Sequence, residues 1–161
     1  MSTLYLLCGP SGSGKSTFVK NSGLNACWVS RDTIRFALLG EDDEYFSKEK
    51  EVYRNFVRII QEDLSEGKDV IADATHINWA SRRKLLNKLK LDGISVVAVN
   101  FKTSLDVCLK RNGLREGRAC VPDEVIVQQF KHFHPANFGE FEYSAIYNVD
   151  ENGEIICRNN I

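Results

Sequence analysis

Residues 9–17 read Gly9-Pro10-Ser11-Gly12-Ser13-Gly14-Lys15-Ser16-Thr17, which matches the pattern G-x-x-x-x-G-K-[ST], and they directly follow the apolar run Leu4–Cys8. A glycine-rich turn between a strand and a helix points backbone N–H groups at a bound anion. All nine residues are therefore predicted to bind the phosphates of ATP or GTP. Lys15 is expected to follow the β- and γ-phosphates, and the Ser16 hydroxyl is expected to ligate Mg²⁺. The alternative is a glycine-rich turn with a chance lysine, which the preceding strand and the Lys-Ser pair disfavour.

Length and composition indicate how many domains the chain forms and which partners and metal sites it lacks a signal for. With 161 residues the chain suits a single domain over residues 1–161, and its net charge of −1 shows no overall preference for nucleic acid or membrane. Any polyanion site must then be a local patch. No apolar run is long enough for a membrane span and no charged leader precedes the first strand, so a cytoplasmic location is expected. The five cysteines are scattered without a metal-binding spacing and are expected to be reduced packing residues.

Short apolar runs alternate with amphipathic segments, which predicts an α/β fold with a mostly parallel sheet and helices on both faces. Buried strands are predicted at 26–29, 69–73 and 94–101, in addition to the one before the glycine-rich turn. Near the C-terminus two further strands, 141–149 and 154–157, are joined by a turn with Asn152-Gly153, which predicts a hairpin and an antiparallel edge.

Asp32 and Arg35 form a second candidate site. Ser30 can cap a helix after the second strand, and residues three apart then share one face near its N-terminus. That end lies at the carboxyl edge of the sheet, where open parallel sheets bind ligands. For Asp32 alone, the simpler interpretation is an acid that complements the helix dipole. The pairing with Arg35 favours a functional role.

Asp73 ends the third predicted strand, and the loop beyond it carries Thr75 and His76. Asp73 is predicted to reach the same edge of the sheet and to contact Mg²⁺ through a water, although it could instead, or in addition, cap the helix that begins at Trp79. His76 has no second ligand at metal-binding spacing. It is expected to form hydrogen bonds rather than a metal site.

Two basic segments follow. The helix after Asn78 carries Arg82, Arg83, Lys84, Lys88 and Lys90, which form either a track for a phosphate backbone or an ordinary solvated face. Residues 111–121, with Arg111, Arg115 and Arg118, are predicted to form a loosely helical lid whose arginines neutralise the transferred phosphoryl group. The alternative for this second segment is a solvent-exposed loop.

Taken together, the phosphate loop, S-R-D-T-I-R at 30–35, D-A-T-H-I-N at 73–78 and K-R-N-G-L-R at 110–115 with Val121-Pro122 beyond it resemble the kinase module of polynucleotide 5′-kinases of the bacteriophage type. The resemblance spans almost the whole chain and implies the P-loop kinase fold with a five-stranded parallel sheet. It also implies roles for individual residues: Asp32 as general base on the acceptor hydroxyl, Arg35 on an acceptor phosphate, Asp73 and Thr75 at the acceptor site, and Arg111 and Arg115 on ATP.

The chain departs from this family in two ways. His76 stands where asparagine is usual, and the phosphatase or ligase domains often fused to such kinases have no counterpart in these 161 residues. The resemblance therefore implies the chemistry and leaves the acceptor open. The expected function is ATP-dependent, Mg²⁺-dependent phosphorylation of a nucleic-acid 5′-hydroxyl. A kinase for a sugar, nucleoside or antibiotic hydroxyl would keep the same nucleotide site, and an ATPase or switch would need no acceptor pocket.

Overall fold

The structure is a computed structural model that describes residues 1–160. It contains one six-stranded sheet in the order β2-β3-β1-β4-β5-β6, flanked by helices. The strands are β1 Thr3–Cys8, β2 Cys27–Ser30, β3 Val70–Asp73, β4 Ser95–Lys102, β5 Ala145–Asp150 and β6 Ile155–Asn160. The helices are α1 Lys15–Asn21, α2 Arg31–Leu38, α3 Glu49–Ser65, α4 Trp79–Lys88, α5 Leu105–Gly113 and α6 Asp123–His132, with a 3-10 turn at Gly117–Ala119.

The first five strands run parallel, with β1 between β3 and β4. Ser30 pairs with Asp73 in the register of β2 and β3. Because the carboxyl ends of parallel strands meet at one edge, the phosphate loop, the N-terminus of α2 and Asp73 lie at the same side of the sheet. The parallel core of five strands is confirmed, and β6 extends it.

The core has one apolar layer on each face of the sheet. On one face Leu4 and Leu6 pack with Phe56 of α3 and Leu85 of α4, and on the other Leu7 packs with Phe18 of α1. The strand residues Leu4, Leu6 and Leu7 are fully buried, which explains the nearly continuous apolar runs in the sequence. Within residues 1–160 no helix is long and apolar enough to cross a membrane.

The C-terminal hairpin is confirmed, since β6 pairs antiparallel with β5. β5 begins at Ala145, however, and not at residue 141. In the segment just before the strand, Tyr143 is fully buried, and its hydroxyl donates to Glu140 Oε1 over 3.1 Å. Residues 141–143 are therefore held by side-chain contacts and not by strand pairing.

Both interpretations of the basic residues of α4, a phosphate track and a solvated face, are wrong for Arg82. Its side chain is 1% exposed and donates from Nε and Nη2 to the two carboxylate oxygens of Glu140, each over 2.9 Å, and from Nη1 to the His76 carbonyl over 2.7 Å. Helical periodicity places Arg82 beside Leu85 and Leu86 on the buried face of α4. Arg82 therefore holds the loop after β3 and does not face solvent.

Candidate active site

A cleft of about 830 Å³ lies at the carboxyl edge of the sheet. One side is the phosphate loop with the start of α1, and the other is formed by the start of α2 and the end of β3. Arg111, Arg115 and the turn between β5 and β6 complete the wall. A volume of this size suits a nucleotide-sized ligand, and most of the residues predicted to be functional are brought together around it.

The phosphate loop has the backbone geometry of an anion cradle. Gly12 and Gly14 adopt φ values of 80° and 100°, which residues with a side chain rarely do. A Cβ on Gly12 would lie 2.6 Å from the Cys108 carbonyl oxygen, so α5 packs directly on the loop. Lys15 Nζ donates to the carbonyls of Gly9 and Pro10 over 2.7 and 2.8 Å. Burial lowers the pKa of Lys15, so a phosphate that contacts this ammonium would stabilise its charge.

Neighbouring segments hold the loop in place. The Gly9 N–H donates to the Thr75 carbonyl over 2.9 Å, and the Thr103 hydroxyl donates to the Ser13 carbonyl over 2.8 Å. The Ser11 N–H donates to Gln129 Oε1 over 2.9 Å. Thr75 thus contacts the loop through its backbone while also lining the cleft. Gln129 was not identified from the sequence, because nothing local marks a contact across 118 residues.

Asp32 and Arg35 do share one face of α2, and both line the cleft. Ser30 caps the helix, as expected, by accepting a hydrogen bond from the Thr33 N–H over 3.2 Å. The Asp32 side chain is 59% exposed. It accepts hydrogen bonds from Arg35 Nη1 and, over 3.1 Å, from the Tyr45 hydroxyl. Burial, with the nearby Asp32 charge, raises the pKa of Tyr45 to about 12, so at neutral pH this hydroxyl stays a donor to the carboxylate.

Arg35 is more engaged than the sequence suggests. It is 5% exposed, and its Nε and Nη2 donate to the two carboxylate oxygens of Glu49 over 2.6 and 3.1 Å. Its guanidinium also stacks 4.6 Å above the Tyr45 ring. Arg31 donates to the same Glu49 carboxylate over 2.9 Å. Glu49 and Tyr45 were missed from the sequence, since they lie ten or more residues beyond Arg35 without a recognisable motif.

Asp73 lines the cleft at the end of β3 and is 7% exposed. Its Oδ2 accepts a hydrogen bond from Trp28 Nε1 over 2.9 Å. Burial raises the pKa of this carboxyl, while the nearby Lys15 charge and the Trp28 hydrogen bond oppose the rise. Asp73 does not cap α4; Asn78 does, in a capping box with Ser81. The carboxylate of Asp73 is thus left to face the cleft.

His76 forms hydrogen bonds, as its isolated position predicts. It is buried, its Nδ1 lies 2.6 Å from the Leu7 carbonyl oxygen, and its φ of 42° falls in the left-handed region. The residue fixes the loop after β3 against β1. Within residues 1–160 no group of three or more His, Cys, Asp or Glu is arranged to hold a metal ion.

The arginine-rich segment is partly helical, with the end of α5 at Gly113 and a 3-10 turn at Gly117–Ala119. Arg111 belongs to α5 and donates to the Gly12 carbonyl over 3.2 Å and to the Glu151 carbonyl in the hairpin turn. Arg115 follows α5 and lines the cleft, whereas Arg118 lies in the 3-10 turn and donates to the carbonyls of Gly40 and Glu41. The three side chains therefore do not share one side. Arg118 joins this segment to the loop after α2.

The oxygen donors around the phosphate loop fit Mg²⁺. Ser16 is exposed at the first turn of α1, and the Asp73 carboxylate faces the same cleft. Hydroxyl and carboxylate oxygens are ligands that Mg²⁺ prefers, and Mg²⁺ commonly completes its shell with water and substrate phosphates. Ser16 would hold the ion directly, and Asp73 would hold it through water.

A family model described as an AAA domain matches residues 4–136. The chain belongs to this AAA-domain family of P-loop kinases. The match runs from β1 through α6 and so includes the phosphate loop, α2 and the arginine-rich segment.

Proteins similar to this chain have names that describe different activities. The L-seryl-tRNA(Sec) kinase of Methanococcus maripaludis is 34% identical over 137 residues, which is 81% of this chain and 52% of that protein. The chain therefore spans about half the length of this curated relative. A sugar kinase from Janibacter sp. HTCC2649 superposes with a TM-score of 0.64 at 16% identity, over 94% of this chain and 87% of that one. A chain of the Pnkp1/Rnl/Hen1 RNA repair complex superposes with a TM-score of 0.64 at 22% identity, over 91% of this chain and 51% of that one.

Proposed function

We propose that the protein transfers the γ-phosphate of ATP to a hydroxyl carried by a nucleic acid, most directly the 5′-hydroxyl of a polynucleotide. The observation that carries the proposal is the position of the Asp32 carboxylate. It faces the same cleft as the phosphate loop, and its Oδ1 accepts hydrogen bonds from both Arg35 and Tyr45. An ATPase or a switch needs no acceptor pocket beside such a carboxylate.

The transfer is an in-line displacement at phosphorus. The acceptor oxygen forms a bond to the γ-phosphorus, the bond from that phosphorus to the β–γ bridging oxygen breaks, and ADP leaves. The acceptor proton passes to Asp32. A loose transition state asks mainly for orientation and late proton acceptance, so a carboxylate near a helix N-terminus is strong enough as a base.

Other residues supply positive charge. Lys15 exchanges the Gly9 and Pro10 carbonyls for phosphate oxygens. Arg111, which already contacts the phosphate loop at Gly12, and Arg115 line the same cleft. When bound, Mg²⁺ would supply positive charge that stabilises the transferred phosphoryl group. Ser16 and Asp73 would orient it.

Aromatic side chains in the cleft support a nucleic-acid acceptor. Trp28, Phe36, Tyr45 and Phe46 line the cleft beside Asp32, and Trp28 and Phe46 are 41% and 54% exposed. Exposed aromatic rings near a reactive hydroxyl suit an acceptor with a nucleobase, because bases stack on such rings. Among the similar proteins, the names of the seryl-tRNA kinase and the RNA repair complex also refer to RNA.

One observation favours a small-molecule acceptor instead. The guanidinium of Arg35, which the family resemblance assigns to an acceptor phosphate, already has its Nε, Nη1 and Nη2 engaged by Glu49, Asp32 and Tyr45. An acceptor without a phosphate would leave this arrangement intact. The similarity to a sugar kinase is consistent with this second candidate.

Mass spectrometry after incubation with Mg-ATP separates these functions. The acceptor panel contains 5′-hydroxyl oligoribonucleotides and oligodeoxyribonucleotides, nucleosides and simple sugars. The proposal predicts a phosphate on the 5′-hydroxyl oligonucleotides and none on matched oligonucleotides that already carry a 5′-phosphate. Phosphorylation of nucleosides or sugars alone would establish the second candidate, and ATP hydrolysis without any acceptor product would indicate an ATPase.

A further inference from the structure

The outer face of α4 is an exposed basic surface without acids. The helix contains no Asp or Glu, and the exposed cations on it or just after it are Arg83, Lys84, Lys88 and Lys90. Within residues 1–160 none of these four forms an ion pair, whereas Arg82 on the buried face is fully paired with Glu140. Unpaired surface cations in a protein of net charge −1 create a local positive potential.

Aromatic rings are interleaved with these cations. Trp79 at the start of α4 is 52% exposed, and the Arg83 guanidinium lies 5.6 Å from the centre of its ring. The ring of Tyr53 on α3 contacts Lys84, whose Nζ lies 4.5 Å from the ring centre. Alternating cations and aromatic rings are the combination with which proteins hold single-stranded nucleic acid.

This surface continues into the cleft. The Arg31 guanidinium, which lines the cleft beside Asp32, lies 5.3 Å from the centre of the same Tyr53 ring. One ring therefore holds two cations, Arg31 and Lys84, of which only Arg31 has a carboxylate partner, Glu49. The charge of Lys84 therefore has no carboxylate near it, and a backbone phosphate beside the Tyr53 ring would supply the missing negative charge.

We propose that Arg31, Tyr53, Lys84, Arg83 and Trp79, here called the α4 strip, bind the single strand of the acceptor beyond its reacting 5′ end. The inference rests on the proposed function and extends it from the reacting hydroxyl to the following nucleotides. The cations of the α4 strip contact backbone phosphates, and Trp79 stacks on a base. Acceptors long enough to reach α4 then bind more tightly than a dinucleotide.

Fluorescence anisotropy with a 3′-labelled, 5′-hydroxyl single-stranded oligoribonucleotide tests the inference. Each phosphate contact on a single strand contributes a slope of about 0.7 to the dependence of log Kd on log salt. Arg83→Ala/Lys84→Ala removes two such cations, so the slope should fall by about 1.4. Between about 50 and about 200 mM salt the wild type should therefore lose about sevenfold more affinity than this double variant.

Trp79→Ala should lower affinity about 5- to 150-fold with the salt slope unchanged, since stacking releases no counterions. Trp79→Phe should restore most of the affinity. The matched control is Lys102→Ala/Lys131→Ala, which removes two exposed cations from β4 and α6 and should bind like the wild type.

In steady-state transfer the Arg83→Ala/Lys84→Ala variant should raise the KM for the long acceptor and leave the KM for a 5′-hydroxyl dinucleotide unchanged.

An unchanged salt slope and an unchanged KM for the long acceptor in the double variant would refute the proposal that the α4 strip binds the acceptor strand. If the wild type phosphorylates the oligonucleotide in that case, the proposed function stands and only the strip fails. If the wild type neither binds nor phosphorylates the oligonucleotide, both fail together. Polyglutamate serves as a polyanion without bases. The proposal would also be refuted if polyglutamate bound as tightly as the oligoribonucleotide, lost the same affinity in the Arg83→Ala/Lys84→Ala variant and lost none in the Trp79→Ala variant. Such results would show that the surface binds polyanions in general.

Discussion

Mild acid should destabilise the protein through His76, which is buried as the neutral imidazole between β3 and α4. Burial, reinforced by the nearby Arg31 and Arg82 charges and opposed by the Leu7 carbonyl, lowers the pKa of His76 to about 3. In the unfolded chain a histidine titrates near a pKa of about 6.5. Between these two values the unfolded chain binds a proton that the folded protein does not.

The sign and size of the effect follow from this difference. The contribution of neutral His76 to the free energy of unfolding is complete above about pH 6.5 and is lost progressively as the pH falls toward about 3. At about pH 5 the unfolded histidine is almost fully protonated, and the loss relative to about pH 8 is about 2 kcal/mol. For a protein of this size that loss lowers the Tm by about 4–8 °C.

The His76→Asn variant isolates this contribution. Asparagine tolerates the left-handed backbone at this position, where φ is 42°, and its amide can donate to the Leu7 carbonyl. Denaturant unfolding of both proteins at about pH 8 and about pH 5 gives four free energies of unfolding. The variant should lose about 2 kcal/mol less than the wild type between these pH values. Equal losses in both proteins would show that His76 does not titrate on unfolding, and would refute the reasoning.

Three substitutions in the cleft test separate roles. Lys15→Ala should abolish transfer and weaken nucleotide binding measured by calorimetry, because the charge that follows the moving phosphate is lost; normal turnover would refute the nucleotide site. Arg115→Ala should lower kcat more than it raises the KM for ATP, since a lid arginine acts mainly on the developing charge; a change in KM alone would assign it to ground-state binding. Arg35→Ala should lower both kcat and the Tm, because Asp32 loses a partner and Glu49 keeps only Arg31, at a cost of about 1.5–3 kcal/mol. A raised acceptor KM with unchanged Tm would instead place Arg35 on an acceptor phosphate.

Much of the fold could be predicted because several of the features that determine it act over only a few residues. Ser30 as helix cap, Pro122 before α6 and Asn152-Gly153 in the hairpin turn each act over a few residues, and the structure has all three features. The phosphate loop is similarly local, since its glycines and Lys15 lie within one short segment. Continuous apolar runs identified the parallel strands because both faces of this sheet are covered.

The features that were missed are contacts between distant segments. Arg82 stands in a basic run of the sequence, and the residue that neutralises it, Glu140, lies 58 residues later. Glu49 engages Arg35 only because α3 packs against α2. No period or motif in a single sequence records such pairs. The same limit applies to the cleft, whose aromatic lining comes from β2, α2 and the loop before α3.

The most direct test of the proposed phosphotransfer is the rate at which the Asp32→Asn variant adds phosphate to a 5′-hydroxyl oligonucleotide, followed by mass spectrometry. Asparagine keeps the size and most of the hydrogen bonding of Asp32 but cannot accept the acceptor proton. Transfer should fall by ~10²–10⁴, while ATP affinity and the Tm stay close to those of the wild type. Near-normal transfer together with a lowered Tm would contradict the account, since Asp32 would then serve only the N-terminus of α2 and Asp73 would become the candidate base.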